Sequence, residues 1–152
     1  MGITLGVKRL LLVVAVLALM GCGSSSGPKA EWSGPAPAGA DGTLGVADFN
    51  DFLAGDGQDF AGSPVVAAAE FLRLDEVDAG TTTVVSTAPG EVRDQATVVV
   101  TLDQLLDDSV RAARYRLELE RPDGDWRLRS ATVTHRCQPG RGHAGFSTQP
   151  CV

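Results

Sequence analysis

The residues best suited to chemistry gather near the C-terminal end of the chain: His135, Cys137, His143 and Cys151. Three kinds of chemistry use these residue types, namely a disulfide, a zinc ion held by thiolate and imidazole, and a cysteine nucleophile with a histidine base. The donor types suit zinc, but the segment lacks the Cys-x-x-Cys pair of common structural zinc sites. The redox state of the compartment decides between these alternatives, because disulfides persist in oxidising surroundings and thiols in reducing ones.

The N-terminal segment specifies the compartment. Lys8 and Arg9 form a short basic region, and residues 10–20 form an apolar run of about half the length that crosses a bilayer as a helix. A basic start followed by such a run is typical of an export signal peptide. The run ends in the tetrapeptide Leu19-Met20-Gly21-Cys22, which resembles the lipobox of bacterial lipoproteins, although methionine is a less usual occupant of its variable position. A secretory signal followed by a chance cysteine is the alternative interpretation.

The lipobox resemblance implies that the chain is a lipoprotein anchored through Cys22. In that family the cysteine thiol receives a diacylglycerol, the preceding peptide is removed, and the new amino group is often acylated, for example with palmitate. Two or more acyl chains hold a protein durably, because each buried methylene adds about 0.8 kcal/mol. Alanine, glycine and valine are the commonest residues and lysine is nearly absent, which is typical of a high-GC Gram-positive bacterium. We therefore expect the protein at the outer face of the plasma membrane, in the cell envelope.

Export favours a disulfide in the C-terminal segment. With Cys22 carrying lipid, Cys137 and Cys151 remain, and they fold in an oxidising compartment. Their cross-link would close a loop of about 15 residues and stabilise the domain by about 3 kcal/mol in the chain-entropy model. Zinc on both cysteines with His135 and His143 is the alternative, and an oxidised thiol is no nucleophile. We expect neither a metal nor another cofactor.

Two acidic groupings have simpler structural interpretations. Asp107 and Asp108 could be paired carboxylates, but adjacent acids between two predicted strands indicate a solvated hairpin tip. Residues 56–59, Asp-Gly-Gln-Asp, resemble part of a calcium loop without its regular ligand spacing or its distal glutamate. We interpret them as a plain loop between helices.

Charge is unevenly distributed along the chain. Cleavage before Cys22 removes two of the 13 basic residues and no acid, so the mature charge is 11 − 19 = −8. Such a protein is a poor candidate for binding DNA, RNA or anionic lipid headgroups. Residues 41–78 hold nine acids and one base, Arg73, whereas residues 111–141 hold eight arginines and four acids. The pattern predicts an acidic end and a basic face.

The elements that position these groups begin after a predicted tether. Residues 23–42 are rich in glycine, serine and proline, which predicts a flexible segment. Trp32 is expected to be exposed in it, and docking on the domain or resting in the lipid headgroup layer are the alternatives. The chain thus divides into a signal peptide at 1–21, a lipidated cysteine and tether at 22–42, and one α+β domain at 43–152. In that domain the apolar spacing predicts two helices, the second capped by Ser63 and beginning at Pro64.

Four strands follow the helices, at residues 81–88, 96–102, 111–120 and 126–135, because the apolar period changes to two. A tight turn at Asp123-Gly124 and a hairpin tip at Asp107-Asp108 set their register, unless residues 104–106 form a helical turn. The predicted pairs are Leu119–Leu128, Leu117–Ser130, Glu120–Arg127, Glu118–Arg129, Arg116–Ala131, Arg114–Val133, Val98–Leu117, Val100–Tyr115 and Leu102–Ala113. The predicted fold class is α+β, with two N-terminal helices packed on one face of a four-stranded antiparallel meander sheet and a C-terminal disulfide loop.

The element order resembles NTF2-like and cystatin-like domains, and the C-terminal segment is similar to that of uncharacterised exported proteins of high-GC bacteria. Isomerases, ligand carriers and interaction modules share that architecture, so the resemblance implies no single activity.

Tyr115, Ser130 and Thr132 are the polar groups of the predicted packed face, which has no Asp–His pair, so we do not expect an enzyme. We expect a membrane-anchored, non-catalytic binding domain; the alternative is a carrier of a small apolar ligand held between helices and sheet.

The predicted interaction site is the arginine face, defined as Arg114, Arg116, Arg136 and Arg141. In the predicted register neither Arg114 nor Arg116 has an acid opposite, and the other two flank the disulfide loop. A planar guanidinium pairs bidentately with carboxylate or phosphate. The expected partner is therefore an acidic envelope protein or an anionic wall polymer, and a merely solvated sheet face is the alternative.

The anchor prediction has a direct test. Changing Cys22 to Ala should leave uncleaved precursor and abolish detergent-phase partitioning of the mature protein, because the thiol that takes the lipid is gone. Phase partitioning and mass spectrometry of the N-terminal peptide measure both effects. A variant that is processed and partitions like the wild-type chain would show that the anchor assignment is wrong.

Overall fold

The regular elements follow one another in a simple order. The computed structural model describes residues 29–88 and 93–152, so the predicted signal peptide and Cys22 lie outside the described residues. Its elements are β1 (Thr43–Leu44), α1 (Ala47–Ala54), a short 3-10 helix (Gln58–Phe60), α2 (Pro64–Phe71), β2 (Ala79–Thr87), β3 (Gln95–Leu105), β4 (Val110–Glu120) and β5 (Arg127–Cys137).

The five strands form one open antiparallel sheet in the order β1-β5-β4-β3-β2. The prediction of an α+β fold with two helices and an antiparallel sheet is confirmed. The prediction of four strands is wrong, because β1 pairs with β5 through Thr43 opposite Thr132 and Leu44 opposite Ala131. The helices therefore lie between β1 and β2 in the chain rather than before every strand.

Each helix buries the side that its apolar spacing defines. Phe49 and Leu53 of α1 are four positions apart and enter the core, where α1 contacts β5. Helix α2 begins at Pro64, whose missing N–H needs no partner at that position, and buries Phe71 beside β2 and β3. Ser63 precedes α2 in an extended conformation, but its hydroxyl makes no capping hydrogen bond in the described structure.

The sheet has a packed face under the helices and an open face opposite. Buried side chains of the packed face come from alternate positions of three strands: Ala96, Val98, Val100, Leu102, Ala113, Leu117, Leu119, Leu128, Ala131 and Val133. The open face carries the intervening residues, and no helix of the described chain covers it. Between β3 and β4 the predicted pairs are confirmed: Val98–Leu117, Val100–Tyr115 and Leu102–Ala113.

A one-residue bulge at Arg129 changes the register between β4 and β5. Nearer the turn, Leu119 lies opposite Leu128 and Glu120 opposite Arg127, as predicted. Beyond the bulge every predicted pair is shifted by one residue, and the observed pairs are Glu118–Ser130, Leu117–Ala131, Arg116–Thr132 and Arg114–Thr134. The physical reason is burial: the extra residue turns two apolar side chains into the core and Ser130 and Thr132 out to solvent.

The prediction that Trp32 is exposed is wrong. Its ring lies among Phe49, Phe52 and Phe71, at centroid distances of 5.0, 6.2 and 6.1 Å. Its indole N–H donates to the carbonyl oxygen of Phe71 at 3.0 Å. A large aromatic ring with one polar atom is stable in such a place because the ring leaves water while the N–H keeps a partner. This part of the predicted tether therefore packs on the domain.

Arg73 fastens the segment that carries Trp32. Its guanidinium donates to the backbone carbonyl of Trp32 at 2.8 Å and pairs with Glu76 and Glu70. The side chain of Arg73 is only 14% exposed, so the single base of residues 41–78 lies inside the acidic end. The hydrogen bond to Glu76 raises the pKa of Arg73, and burial raises the pKa of Glu70.

We expect Trp32→Ala to lower the free energy of unfolding by about 2–4 kcal/mol, because it leaves a void among three phenylalanine rings and a carbonyl without its donor. The matched control is Trp32→Phe, which keeps most ring contacts, loses the N–H, and should cost about 1 kcal/mol. Urea unfolding of the full chain in detergent, followed by circular dichroism, measures both. Equal stability of Trp32→Ala and the wild-type chain would place residue 32 outside the folded unit.

Candidate functional site

The C-terminal loop is attached to β5 at two places. Cys137 ends β5 and forms the predicted disulfide with Cys151, with Cα atoms 5.4 Å apart. Further along the loop, Ser147 exchanges two backbone hydrogen bonds with His135, at 2.8 and 2.9 Å. These two attachments hold the intervening residue Phe146 at the edge of the sheet.

This geometry disfavours the zinc alternative. The sulfurs of Cys137 and Cys151 lie within 4.8 Å of one another and of a ring nitrogen of His143. Both sulfurs belong to the disulfide, so neither offers the thiolate that zinc binds. His135 does not join this group, and burial together with the nearby His143 lowers the pKa of His135.

His143 instead bridges two points of the loop. Its Nδ1 lies 2.7 Å from the carbonyl oxygen of Gly145, and its Nε2 lies 2.8 Å from that of Gln149. A carbonyl oxygen only accepts, so both contacts are hydrogen bonds only when both ring nitrogens carry a proton. The carbonyls of Gln149 and Gly145 therefore raise the pKa of His143 above its ordinary value.

Phe146 places an aromatic ring against the arginine face. The Cζ of Arg114 lies 3.8 Å from the ring centroid, and that of Arg136 lies 5.4 Å away. Arg136 also donates to Asp103 at 2.7 Å, but no carboxylate of the described residues lies within 4.0 Å of the Arg114 guanidinium. Stacking leaves the in-plane N–H groups of Arg114 free of the ring. Arg114 is therefore oriented by an aromatic contact rather than neutralised by an acid.

The register surrounds the two central arginines with small hydroxyl-bearing and apolar side chains. One row across the open face reads Thr83, Thr101, Arg114 and Thr134, and the next reads Val85, Val99, Arg116 and Thr132. The side chain of Arg116 is 57% exposed, and its guanidinium lies 3.4 Å from Glu118. Positions two apart on a strand are about 7 Å apart, so the two guanidinium groups stand side by side along β4.

The open face carries more positive than negative charge. Among the described residues its arginines outnumber its carboxylates six to three: Arg111, Arg114, Arg116, Arg127, Arg129 and Arg136 against Asp103, Glu118 and Glu120. The hydrogen bond from Arg136 lowers the pKa of Asp103, and that from Arg129 lowers the pKa of Glu118. Each of these three carboxylates therefore already pairs with an arginine of the same face.

The structure brings together three of the four arginines predicted as an interaction site. Arg114 and Arg136 meet at Phe146, and Arg116 is the next open-face residue of β4. Arg141 lies in the disulfide loop with an exposed side chain, and in the described structure it shares no acid or aromatic partner with the other three. Phe146 is not among the predicted site residues, although it is the only phenylalanine, tyrosine or tryptophan between the two cysteines.

The two acidic groupings have structural roles. The carboxylate of Asp107 accepts from the backbone N–H groups of Val110 and Ser109 at 2.6 and 2.8 Å, which lowers the pKa of Asp107 and confirms the hairpin tip. Asp56 accepts from the N–H of Ala30 at 3.0 Å, and Asp59 lies 3.4 Å from Lys29. The loop at 56–59 therefore contacts the segment before Trp32.

No family model, curated protein or solved structure matches this chain. In the part of the chain that the structure describes, neither helix has the length and apolar character needed to cross a membrane.

We expect the disulfide loop to lose stability as pH rises. The pKa of folded His143 is raised, so its contribution is complete below about pH 6.5 and disappears as pH rises through the folded-state pKa. His143→Gln should remove this dependence, so the stability difference between wild type and variant is largest in acid. Urea unfolding of both chains across a pH series measures that difference. A difference that instead grows towards alkaline pH would contradict the doubly protonated bridge.

Proposed function

We propose that this protein is an envelope lipoprotein, anchored through lipid on Cys22, whose domain is non-catalytic and binds an anionic polymer of the cell wall. The anchor rests on the lipobox resemblance. The binding surface is the part of the arginine face around Arg114 and Arg116. The observation that carries the proposal is that Arg114 is stacked on Phe146 while no described carboxylate pairs with it.

An arginine held in this way is suited to binding an anion. Immobilising a free arginine side chain opposes binding by up to about 2 kcal/mol of rotamer entropy, and stacking removes part of that cost beforehand. Hydrogen bonds from guanidinium to phosphate or carboxylate are about twice as strong as neutral ones. Arg116, about 7 Å along the same strand, supplies a second donor group for the next charge of an extended ligand.

The surroundings of Arg114 favour a polymer over an acidic protein patch. Stable protein interfaces centre on a desolvated apolar cluster. Around Arg114 the open face offers the hydroxyls of Thr83, Thr101 and Thr134, which donate to anionic oxygens, while the valines of the open face lie in the neighbouring row beside Arg116. A flat, polar, arginine-bearing surface matches an extended chain of phosphate or carboxylate groups.

The overall negative charge of the protein does not oppose this binding strongly. Screening limits interactions between exposed charges to about 8 Å at physiological ionic strength. Arg114 has the Phe146 ring beside it and threonines opposite it on both neighbouring strands, and the acidic end around Arg73 belongs to the helical side of the sheet. The local positive charge of the arginines, rather than the net negative charge of the protein, therefore governs the interaction with an anionic polymer at this surface.

The carrier alternative has less support from the geometry. A ligand held between helices and sheet needs space there, but Phe49, Phe71, Leu117 and Leu128 are fully buried in that layer. Trp32 closes the aromatic cluster from outside. These side chains build the core of the domain, as they must in a domain of this size.

The binding test compares two double variants of the full chain in detergent. Arg114→Gln/Arg116→Gln should weaken retention on purified Gram-positive cell wall by about tenfold or more, because two charge-assisted contacts are lost. Arg127→Gln/Arg129→Gln is the matched control, since each of those arginines pairs more closely with a glutamate than Arg116 does, and Arg114 pairs with none; the control should change retention little. Cosedimentation measures retention, and circular dichroism checks that each variant is folded.

Wild-type retention should disappear in high salt and on wall stripped of its anionic polymers, because the contact is electrostatic. If both double variants lost retention equally, overall charge would explain the binding, and a specific site at Arg114 and Arg116 would be contradicted. Retention on stripped wall would point to a different partner. A small apolar molecule that copurifies with the chain would favour the carrier alternative over polymer binding.

A further inference from the structure

The free edge of β2 fits a second copy of the chain. We propose that two copies pair antiparallel through β2, about a twofold axis at Val84, and join their sheets into one of ten strands. The proposal is independent of what the arginine face binds.

β2 has the properties of an edge strand that requires a partner. It is nine residues long and pairs with β3 on one side, whereas no described strand pairs with its other side. All its residues from Gly80 to Thr87 are exposed. Soluble proteins protect such edges with charged residues, proline or bulges. Ala79–Thr87 contains no charge and no proline, and it pairs with β3 without a register shift.

The side chains of β2 are complementary to their own copy. An antiparallel pair centred on Val84 places these residues opposite one another: Thr81–Thr87, Thr82–Ser86, Thr83–Val85 and Val84–Val84. Threonine with threonine or serine, and β-branched with β-branched, are pairs that stabilise antiparallel ladders. A twofold interface must be self-complementary in this way. The side chains of an unrelated strand would not be expected to complement those of β2.

The same pairing covers apolar surface that one copy leaves exposed. Val84 is 41% exposed on the packed face, and Val66 on α2, which contacts β2, is 44% exposed. A twofold axis through Val84 keeps both packed faces on one side of the joined sheet, so the two Val84 side chains meet at the axis and α2 of each copy lies on that same side. The association therefore continues the core across the junction.

Charge does not oppose this junction. The arginines of the open face lie on β4 and β5, so β3 and β2 of each copy separate them from the axis. At about 4.8 Å per strand, the two β4 strands are about 24 Å apart, beyond the screening length of about 8 Å at physiological ionic strength. Like charges on the two copies therefore repel weakly.

Cysteine cross-linking of the full chain in its membrane tests the register. Val84→Cys should form an oxidised dimer, because self-opposed Cα atoms lie about 4.5–5.5 Å apart, within disulfide range. Val85→Cys, its exposed neighbour, lies opposite Thr83 and should cross-link far less. Thr82→Cys and Ser86→Cys should cross-link when expressed together but not singly. The parent chain reports any background from native cysteines.

Light scattering of the detergent-purified chain tests the association itself. The wild-type chain should have twice the mass of one chain, and Val84→Lys should weaken the dimer at least about tenfold by opposing two ammonium groups. Ser130→Lys, on the open face of β5, is the matched control and should remain dimeric. A wild-type mass of one chain, equal cross-linking at positions 84 and 85, or cross-linking of Val84→Cys to a different protein would overturn the proposal.

Discussion

The bulge at Arg129 is the constraint on which the rest of the sheet depends. Between Leu128 and Arg136, β5 has one residue more than the facing stretch of β4, and a strand with period two must either bury polar side chains or absorb that residue at one point. By absorbing it between Leu128 and Ala131, β5 keeps Leu128, Ala131 and Val133 in the core. The same step turns Thr132 and Thr134 to the open face, opposite Arg116 and Arg114. Packing on one face thus determines the chemistry of the other.

The C-terminal loop adds what the sheet alone cannot provide. A strand sets the spacing of Arg114 and Arg116 but leaves a long side chain free to move, because only its Cα is held. The disulfide and the bridge at Ser147 hold Phe146 over the edge of β5, where its ring orients Arg114. The loop is therefore a support for the site, and the disulfide acts on Arg114 through Phe146.

The sequence predicted the elements better than their junctions. The period of two, the turn residues and Pro64 predicted the helix start and the β3–β4 register, because these depend on local spacing. The bulge left a signal in β5, where apolar residues fall three apart at Leu128 and Ala131 instead of two. The position of Trp32 could not be predicted from its glycine- and proline-rich surroundings, since it depends on a cluster of rings formed by distant residues. The stacking of Phe146 is a long-range contact of the same kind.

The sheet also separates its two proposed surfaces. Arg114 and Arg116 of the arginine face lie on the central strand β4, where the neighbouring strands on both sides fix their spacing, while β2 at the edge is neutral and rich in threonine. Pairing through β2 would set two arginine faces on one continuous sheet, both facing the same way. A repeating polyanion that bridges both faces binds the second at high effective concentration, so two modest contacts yield a tight one without any new contact. An antiparallel sheet with charge at its centre and hydroxyls at its edge accommodates both tasks, because pairing through β2 uses its backbone edge while the side chain of Thr83 stays on the open face.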